Sequence, residues 1–332
     1  MMREPLFLPR RNLPRALKKL AETSTLYAPV KTWEGVTLEP VRGETERVTF
    51  EKRLPSVKPL FLPPVEGLIK YSMNPLSLES TFWESPFILL GARACDLNAL
   101  VILDKVFLEE PVDEHYRRRR EAATLISLDC LEPEEACFCT RLGYHPYPTS
   151  GFDLNMSQLE EGMLLEAGSE KGSKILQLLT EFTENTTPAM LEERERNRKR
   201  IEGKMEGRKL ERLEKVGELK EEYWKRYALK CVECSACINI CPTCYCFSLA
   251  EEKLQEHFLR LRYWEPCLKE GYQKVAAGVN PRPELHSRLA NRILHKFAYF
   301  PEKYGTYACT GCGRCVEACL GKIDVREPLE HE

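Results

Sequence analysis

The sequence of 332 residues has no apolar run near the ~20 residues that span a bilayer. Its longest apolar runs, around PFILLGA and LNALVIL, fall well short of that. No signal peptide is expected, because MMREPLFLPRRNLPRALKKL breaks its apolar stretches with proline and arginine. A cytoplasmic chain without a membrane span is the expectation. There is no basic excess either. Lys and Arg number 49 against 51 Asp and Glu, interleaved, which argues against nucleic acid or an anionic membrane as partner. No G-x-G-x-x-G opens a helix after a strand, and no G-x4-G-K-[ST] occurs, so no nucleotide fingerprint is present. Glutamine is scarce while 30% of residues are charged, a composition that leans towards thermophiles. Apolar content is not lacking: 43% hydrophobic residues can bury a core, and the length favours two domains.

The expected class is α+β, an N-terminal mixed α/β domain followed by a mainly helical dicluster ferredoxin-like domain. In residues 1–184, APVKTWEGVTLEPV reads as a hairpin, PFILLGAR (86–93) and ATLISLD (123–129) as buried strands, and LNALVILDKVF (97–107) as a helix. GMLLEAGSEKGSKILQLL reads as strand, turn and helix, and the alternation implies a parallel or mixed sheet. Residues 185–229 form a charged helical connector. It is nearly neutral, with Ile201, Met205, Leu213, Val216, Leu219, Tyr223 and Tyr227 as a rough apolar stripe. A surface helix joining two domains is the plain reading, and a docking helix for a partner the sharper one. In residues 230–332, Ser248 and Glu251 suggest a capping box starting a helix to about Tyr263. A second helix, ELHSRLANRILHKFAYF (284–300), is expected to stop before Pro301.

Fifteen cysteines dominate the chemistry. Their number is odd and their spacing too tight for a disulfide framework, so clustered reduced thiols point to metal. Cys231, Cys234, Cys237 and Cys241 follow C-x2-C-x2-C-x3-C with Pro242 next, and Cys309, Cys312, Cys315 and Cys319 repeat the spacing. Three cysteines at this spacing wrap one cubane, while the fourth, a turn further on, ligates the other cluster of a pair. Cys231, Cys234, Cys237 and Cys319 are therefore expected to hold one 4Fe–4S cluster. Cys309, Cys312, Cys315 and Cys241 are expected to hold a second. Gly311 and Gly313 suit a loop whose amides approach cluster sulfurs. Zinc is the alternative, though it favours paired cysteines from separate knuckles. The C-x3-C-x2-C of Cys237, Cys241 and Cys244 matches radical-SAM spacing but lacks the βα repeats of a barrel.

Cys95 and Cys130 each close a predicted strand, and parallel neighbours would bring both to one carboxyl edge. Cys137 and Cys139 follow in the next loop, so these four thiols are candidates for a third iron–sulfur cluster. Four unrelated buried cysteines, or zinc, is the plain alternative. Cys244, Cys246 and Cys267 read as buried hydrophobes. His115, His145, His286 and His295 read as surface or packing residues.

The stretches PSVKPLFLPPVEGLIKY, GARACDLNALVILDKVF, CFC, GFDLN, CPTCYCF, RYWEPC, NPRPELHSRLANRILHKF and CTGCGRC together carry a family resemblance. The chain resembles the β subunit of soluble nickel–iron sulfhydrogenases, and it is similar to the dicluster electron-transfer subunit of anaerobic sulfite reductase, except around 185–222. Leu320 stands where these motifs usually carry proline after Cys319. The resemblance implies an electron-transfer subunit without a substrate site of its own. It would relay single electrons between a flavin subunit, carrying FAD or FMN, and a catalytic subunit of a cytosolic anaerobic oxidoreductase complex. Hydrogenase, sulfite-reductase and heterodisulfide-reductase chemistry all fit. The alternatives are a self-contained flavin- or substrate-binding reductase and an iron- or oxygen-sensing regulator, the latter disfavoured by the balanced charge.

Overall fold

The computed structural model describes residues 4–330 except 52, 53, 84 and 208. Its strands, in chain order, are β1 (Leu6–Pro9), β2 (Thr25–Thr32), β3 (Gly35–Val41), β4 (Val65–Met73), β5 (Leu76–Ser80) and β6 (Phe87–Ala92). They continue with β7 (Ala123–Leu128), β8 (Leu154–Gln158), β9 (Gly162–Ala167), β10 (Glu184–Asn185), β11 (Phe247–Leu254) and β12 (His257–Trp264). Among the described residues no helix is long and apolar enough to cross a membrane. The class is α+β, and the chain divides into two compact units.

The first unit takes Met1–Val57, Glu84–Val101 and Arg119–Gly207. Its mixed eight-stranded sheet runs β10-β1-β9-β8-β7-β6-β2-β3. Every residue of β6 is buried, as befits an apolar run inside a parallel stretch. β6 and β7 are parallel neighbours, with Phe87 opposite Ala123. A helix, Ala94–Phe107, starts straight after β6. Its first turn is closed by Asp96, whose carboxylate accepts from the Arg93 amide at 3.1 Å. Buried polar groups bridge β7 and β8: Asn155 donates to Asp129 at 2.9 Å, and Ser157 donates to Asp129 at 2.8 Å.

The charged segment is not one helix. Pro188–Lys204 is helical, capped by Thr187. It lies on the first unit because Arg198 donates to Asp129 at 2.9 Å and Ile201 and Met205 are buried there. Further on, a 3-10 turn, Val216–Glu218, precedes a short helix, Glu221–Ala228.

The second unit takes Lys58–Trp83, Ile102–Arg118 and Arg208–Glu332. Its sheet runs β11-β12-β4-β5. The helix expected over 248–263 is instead the antiparallel hairpin β11–β12, in which Phe247 pairs Trp264 and Leu254 pairs His257. Ser248 and Glu251 do not cap a helix: Ser248 donates to Glu265, and Glu251 accepts from Arg260 at 2.6 Å across the hairpin. β12 also pairs β4, so a strand from early in the chain completes the sheet. The expected stop before Pro301 is also overturned. The helix Leu285–Leu294 continues through a π turn, His295–Tyr299, into Phe300–Tyr304. Pro301 falls in the first turn of that last segment, where the missing N–H costs little.

Arg262 anchors this sheet. Its guanidinium sits between Glu66 and Asp113, with Arg262 and Glu66 side chains 2% and 3% exposed. Arg262→Ala takes the guanidinium from two carboxylates, one of them fully buried, and is expected to cost about 3–5 kcal/mol. Chemical denaturation of the variant checks this; a cost near that of a surface ion pair, about 1 kcal/mol or less, would contradict it.

Candidate metal centres

Both cysteine motifs fold alike. In the first, Glu233 and Ser235 take left-handed backbone angles (φ 49° and 63°); in the second, Gly311 and Gly313 do so at the matching positions (φ 65° and 70°). Glycine adopts this region freely, whereas other residues are strained in it, so the first loop holds its shape against a local cost. Each loop leads into a single helical turn, Ala236–Asn239 or Arg314–Glu317, which carries the third cysteine. The fourth cysteine, Cys241 or Cys319, follows it. Amides already aim at sulfur: Gly311 donates to Cys309 at 3.5 Å and Ile323 to Cys319 at 3.3 Å.

One cavity is lined by Cys231, Cys234, Cys237 and Cys319, with Cys315 and Arg292 also at its wall and Tyr227, Leu268 and Leu289 among its apolar sides. The fourth cysteine of the second motif thus joins three of the first, and the third cysteine of the second motif borders the same space. Cys309, Cys312, Cys315 and Cys241 form the other neighbourhood. Burial pushes the Cys315 thiol up to about 12, and Cys241 and Cys312 act on it in the same direction. Burial raises Cys309 too, with Cys315 and Cys241 among its neighbours. Such thiols become thiolates when metal takes the proton's place. Among the described residues no three Cys, His, Asp or Glu groups stand close enough to share a single ion. Thiolates on a cubane each bind a separate iron.

Between the two neighbourhoods runs a buried line of positive charge. Arg288, Arg292 and Lys296 recur every four residues along the helix that starts at Leu285, and are only 3–5% exposed. Arg288 donates to Glu233 at 2.6 Å and to the Leu268 carbonyl at 2.7 Å, tying down the first loop. Arg292 donates to the Cys237 carbonyl at 3.2 Å. Lys296 donates to Cys241 Sγ at 3.5 Å and to Thr243 Oγ1 and the Ala308 carbonyl at 2.8 Å each. Burial disfavours the charge on Lys296, but Cys241, Cys244 and Cys309 outweigh it and hold its pKa above the ordinary lysine value. Burial likewise opposes Arg292, and Cys237 and Cys315 outweigh it. Three buried cations suit a site that takes up negative charge.

Residues 230–323 match the 4Fe-4S dicluster domain family. Over 320 residues the chain is 31% identical to the sulfhydrogenase 2 subunit beta of Pyrococcus furiosus, covering 94% of this chain and 93% of that protein. The chain belongs to the sulfhydrogenase β-subunit family. It is an iron–sulfur protein, and its dicluster region coincides with the paired loops and the cationic helix.

This sulfhydrogenase-type chain carries its other cysteines in two places. In the first unit, Cys130, Cys137 and Cys139 pack with Ile201, Met205 and Tyr144, and Cys139 Sγ lies 3.9 Å from Met205 Sδ. Burial lowers the pKa of Arg93, and Cys130 and Cys95 oppose that shift, which places both thiols near its guanidinium. The parallel pairing of β6 and β7 puts Cys95 and Cys130 at one sheet edge. In the second unit, Cys244, Cys246 and Cys267 do not sit in a plain apolar core: Lys296 and Arg292 act on Cys244, Lys296 and Lys58 on Cys246, and Arg292 on Cys267. Burial, then Lys296, lowers His295 to about 4, so it is neutral; it shares a 3.2 Å hydrogen bond with Tyr245.

The cationic helix face is what sequence reading missed. Its signal was there: Arg288, Arg292 and Lys296 keep a period of four beside the apolar Leu289, Ile293 and Phe297.

Proposed function

We propose that this iron–sulfur protein passes single electrons between a flavin-containing partner and a catalytic subunit of a cytosolic anaerobic oxidoreductase. Two 4Fe–4S clusters carry them. Cys231, Cys234, Cys237 and Cys319 hold the first, and Cys309, Cys312, Cys315 and Cys241 the second. The observation that carries this reading is the cavity in which Cys319 meets the three cysteines of the other motif. Cross-ligation keeps two clusters close enough for electron hopping, and the buried cations favour the reduced, more negative state. Cys234 is exposed, and Leu229, Val232 and Leu320 beside the cluster cysteines in the chain are 83%, 62% and 73% exposed. Such apolar surface at a cluster suits a partner that takes or gives electrons there. The relative's name, a sulfhydrogenase subunit, favours a hydrogenase-type complex over the sulfite- and heterodisulfide-reductase types.

Cys95, Cys130, Cys137 and Cys139 are proposed to hold a third cluster, supported by Cys95 and Cys130 lying near Arg93 and by Cys130, Cys137 and Cys139 packing in one cluster. Iron and sulfide counts on the anaerobically purified chain test both statements. About twelve irons per chain supports three clusters, and about eight supports two. Cys319→Ser is expected to remove about four irons and one spectroscopic signal, and Cys241→Ser the other signal. If both variants extinguish the same signal, the cross-ligation is wrong. Co-purification of a flavoprotein and a hydrogenase-type subunit supports the relay, whereas flavin bound at one per isolated chain favours a self-contained reductase.

A further inference from the structure

Eight cysteines belong to the paired motifs and four to the proposed third cluster, which leaves Cys244, Cys246 and Cys267. Cys246 immediately precedes β11 and Cys267 follows the end of β12. Because Phe247 pairs Trp264, the two cysteines flank the open end of the same hairpin. Both backbones are pinned: the Cys246 carbonyl accepts from Glu265 N at 3.1 Å, and the Cys267 carbonyl accepts from Gln273 Nε2 at 2.6 Å. The side chains meet there. The Cys267 thiol and the Tyr272 hydroxyl are the nearest polar neighbours acting on the Cys246 sulfur. Cys267 is buried, 8% exposed. Two ammonium groups lie close by. Lys58 sits over the Trp264 ring at 3.7 Å and donates to the Cys244 carbonyl at 3.0 Å, while Lys296 reaches Cys241 Sγ at 3.5 Å.

We propose that Cys246 and Cys267 are a reversible dithiol–disulfide couple, a two-electron redox site beside the second iron–sulfur cluster. The proposal rests on the electron-relay reading above. On oxidation one S–S bond forms between the two sulfurs. The couple gives up two electrons and its remaining thiol proton, and two oxidised clusters take one electron each. On reduction two reduced clusters return the electrons, the S–S bond breaks, and Cys267 regains its proton. The surroundings favour that division of roles. The Cys267 hydrogen bond holds Cys246 down at about 6 against burial, aided by Tyr272, Lys296 and Lys58. Cys267 is pushed up, first by the same hydrogen bond and then by burial. A thiolate beside a thiol is the state from which a disulfide forms and to which it returns.

The test uses the full chain, purified without oxygen and poised across a range of potentials with mediators. Samples are quenched in acid, alkylated and mapped by peptide mass spectrometry, with iron counted on the same samples. The expected result is a Cys246–Cys267 cross-linked peptide at the oxidising end, replaced by two alkylated peptides after dithionite. Reductive titration should take up about two more electrons per chain in the wild type than in Cys267→Ser or Cys246→Ser, with iron unchanged in both. Two outcomes overturn the couple while leaving the relay intact: both thiols alkylated at every potential in a chain with full iron, or iron lost from both serine variants, which would make these residues metal ligands. A wild-type chain without iron instead sinks the relay itself, and with it the partner this couple needs.

Discussion

Lys296→Met is expected to lower the midpoint potential of the second cluster by on the order of 100 mV, the effect of removing one charge several ångströms away at an effective dielectric near 20. Lys296 is 3% exposed and donates to Cys241 Sγ at 3.5 Å. A cluster gains negative charge when reduced, so a fixed cation at its ligand favours the reduced state, and removing it favours the oxidised one. The methionine keeps the apolar stem but leaves Thr243 Oγ1 and the Ala308 carbonyl without this donor. That loss costs about 1–3 kcal/mol of stability, so the variant folds less stably while its potential moves. Lys296→Arg retains the charge and is expected to retain most of the potential. An EPR-monitored redox titration reads both variants. An unchanged potential in Lys296→Met, with iron content intact, would show that its charge is compensated by other groups.

The sequence made the sheet edge and the cysteine loops legible because local chemistry decides them. FILLGA and ATLISL are apolar runs that are stable only as buried strands, and the paired C-x2-C-x2-C-x3-C spacing fixes loop and helical turn together. The hairpin β11–β12 was not legible, because its partner decides it. FSLAEEKL is mostly exposed and holds a capping-box pattern, but β4, nearly two hundred residues earlier, pairs with β12 and settles the strand. Local pattern yields to such long-range pairing. The burial of the cations on the Leu285 helix went unread for a related reason. Arginine and lysine on a helix normally face water, and only the packing of the cysteine loops turns this face inward. Pro301 likewise looks like a stop until the π turn ahead of it places it at the start of a new segment.

Gly321→Ala is expected to abolish the first cluster. The glycine follows Cys319 by two residues, and its α-carbon lies against the chain entering the other motif. A β-carbon there would stand 2.0 Å from the Lys230 carbonyl oxygen, 3.0 Å from its carbonyl carbon and 3.7 Å from Cys231 Cα. Backbone, not a flexible side chain, blocks the added methyl, so the segments must separate, carrying Cys231 away from Cys319. The effect is steric alone, since Gly321 has no left-handed angle to lose. Gly305 supplies the contrast: its φ is 67° with open space around it, so Gly305→Ala costs about 1 kcal/mol of strain and leaves iron untouched. In Gly321→Ala, iron should fall by about four per chain, while the cluster of Cys309, Cys312, Cys315 and Cys241 keeps its signal. Full iron with unaltered spectra would mean that Cys231 and Cys319 need not stand together, and the shared ligand set would fail. Loss of both signals would place Gly321 in the packing of the whole dicluster region rather than at one site. Loss of the first signal alone ties the cross-ligation to the approach of Gly321 to Lys230 and Cys231, where the two motifs meet backbone to backbone.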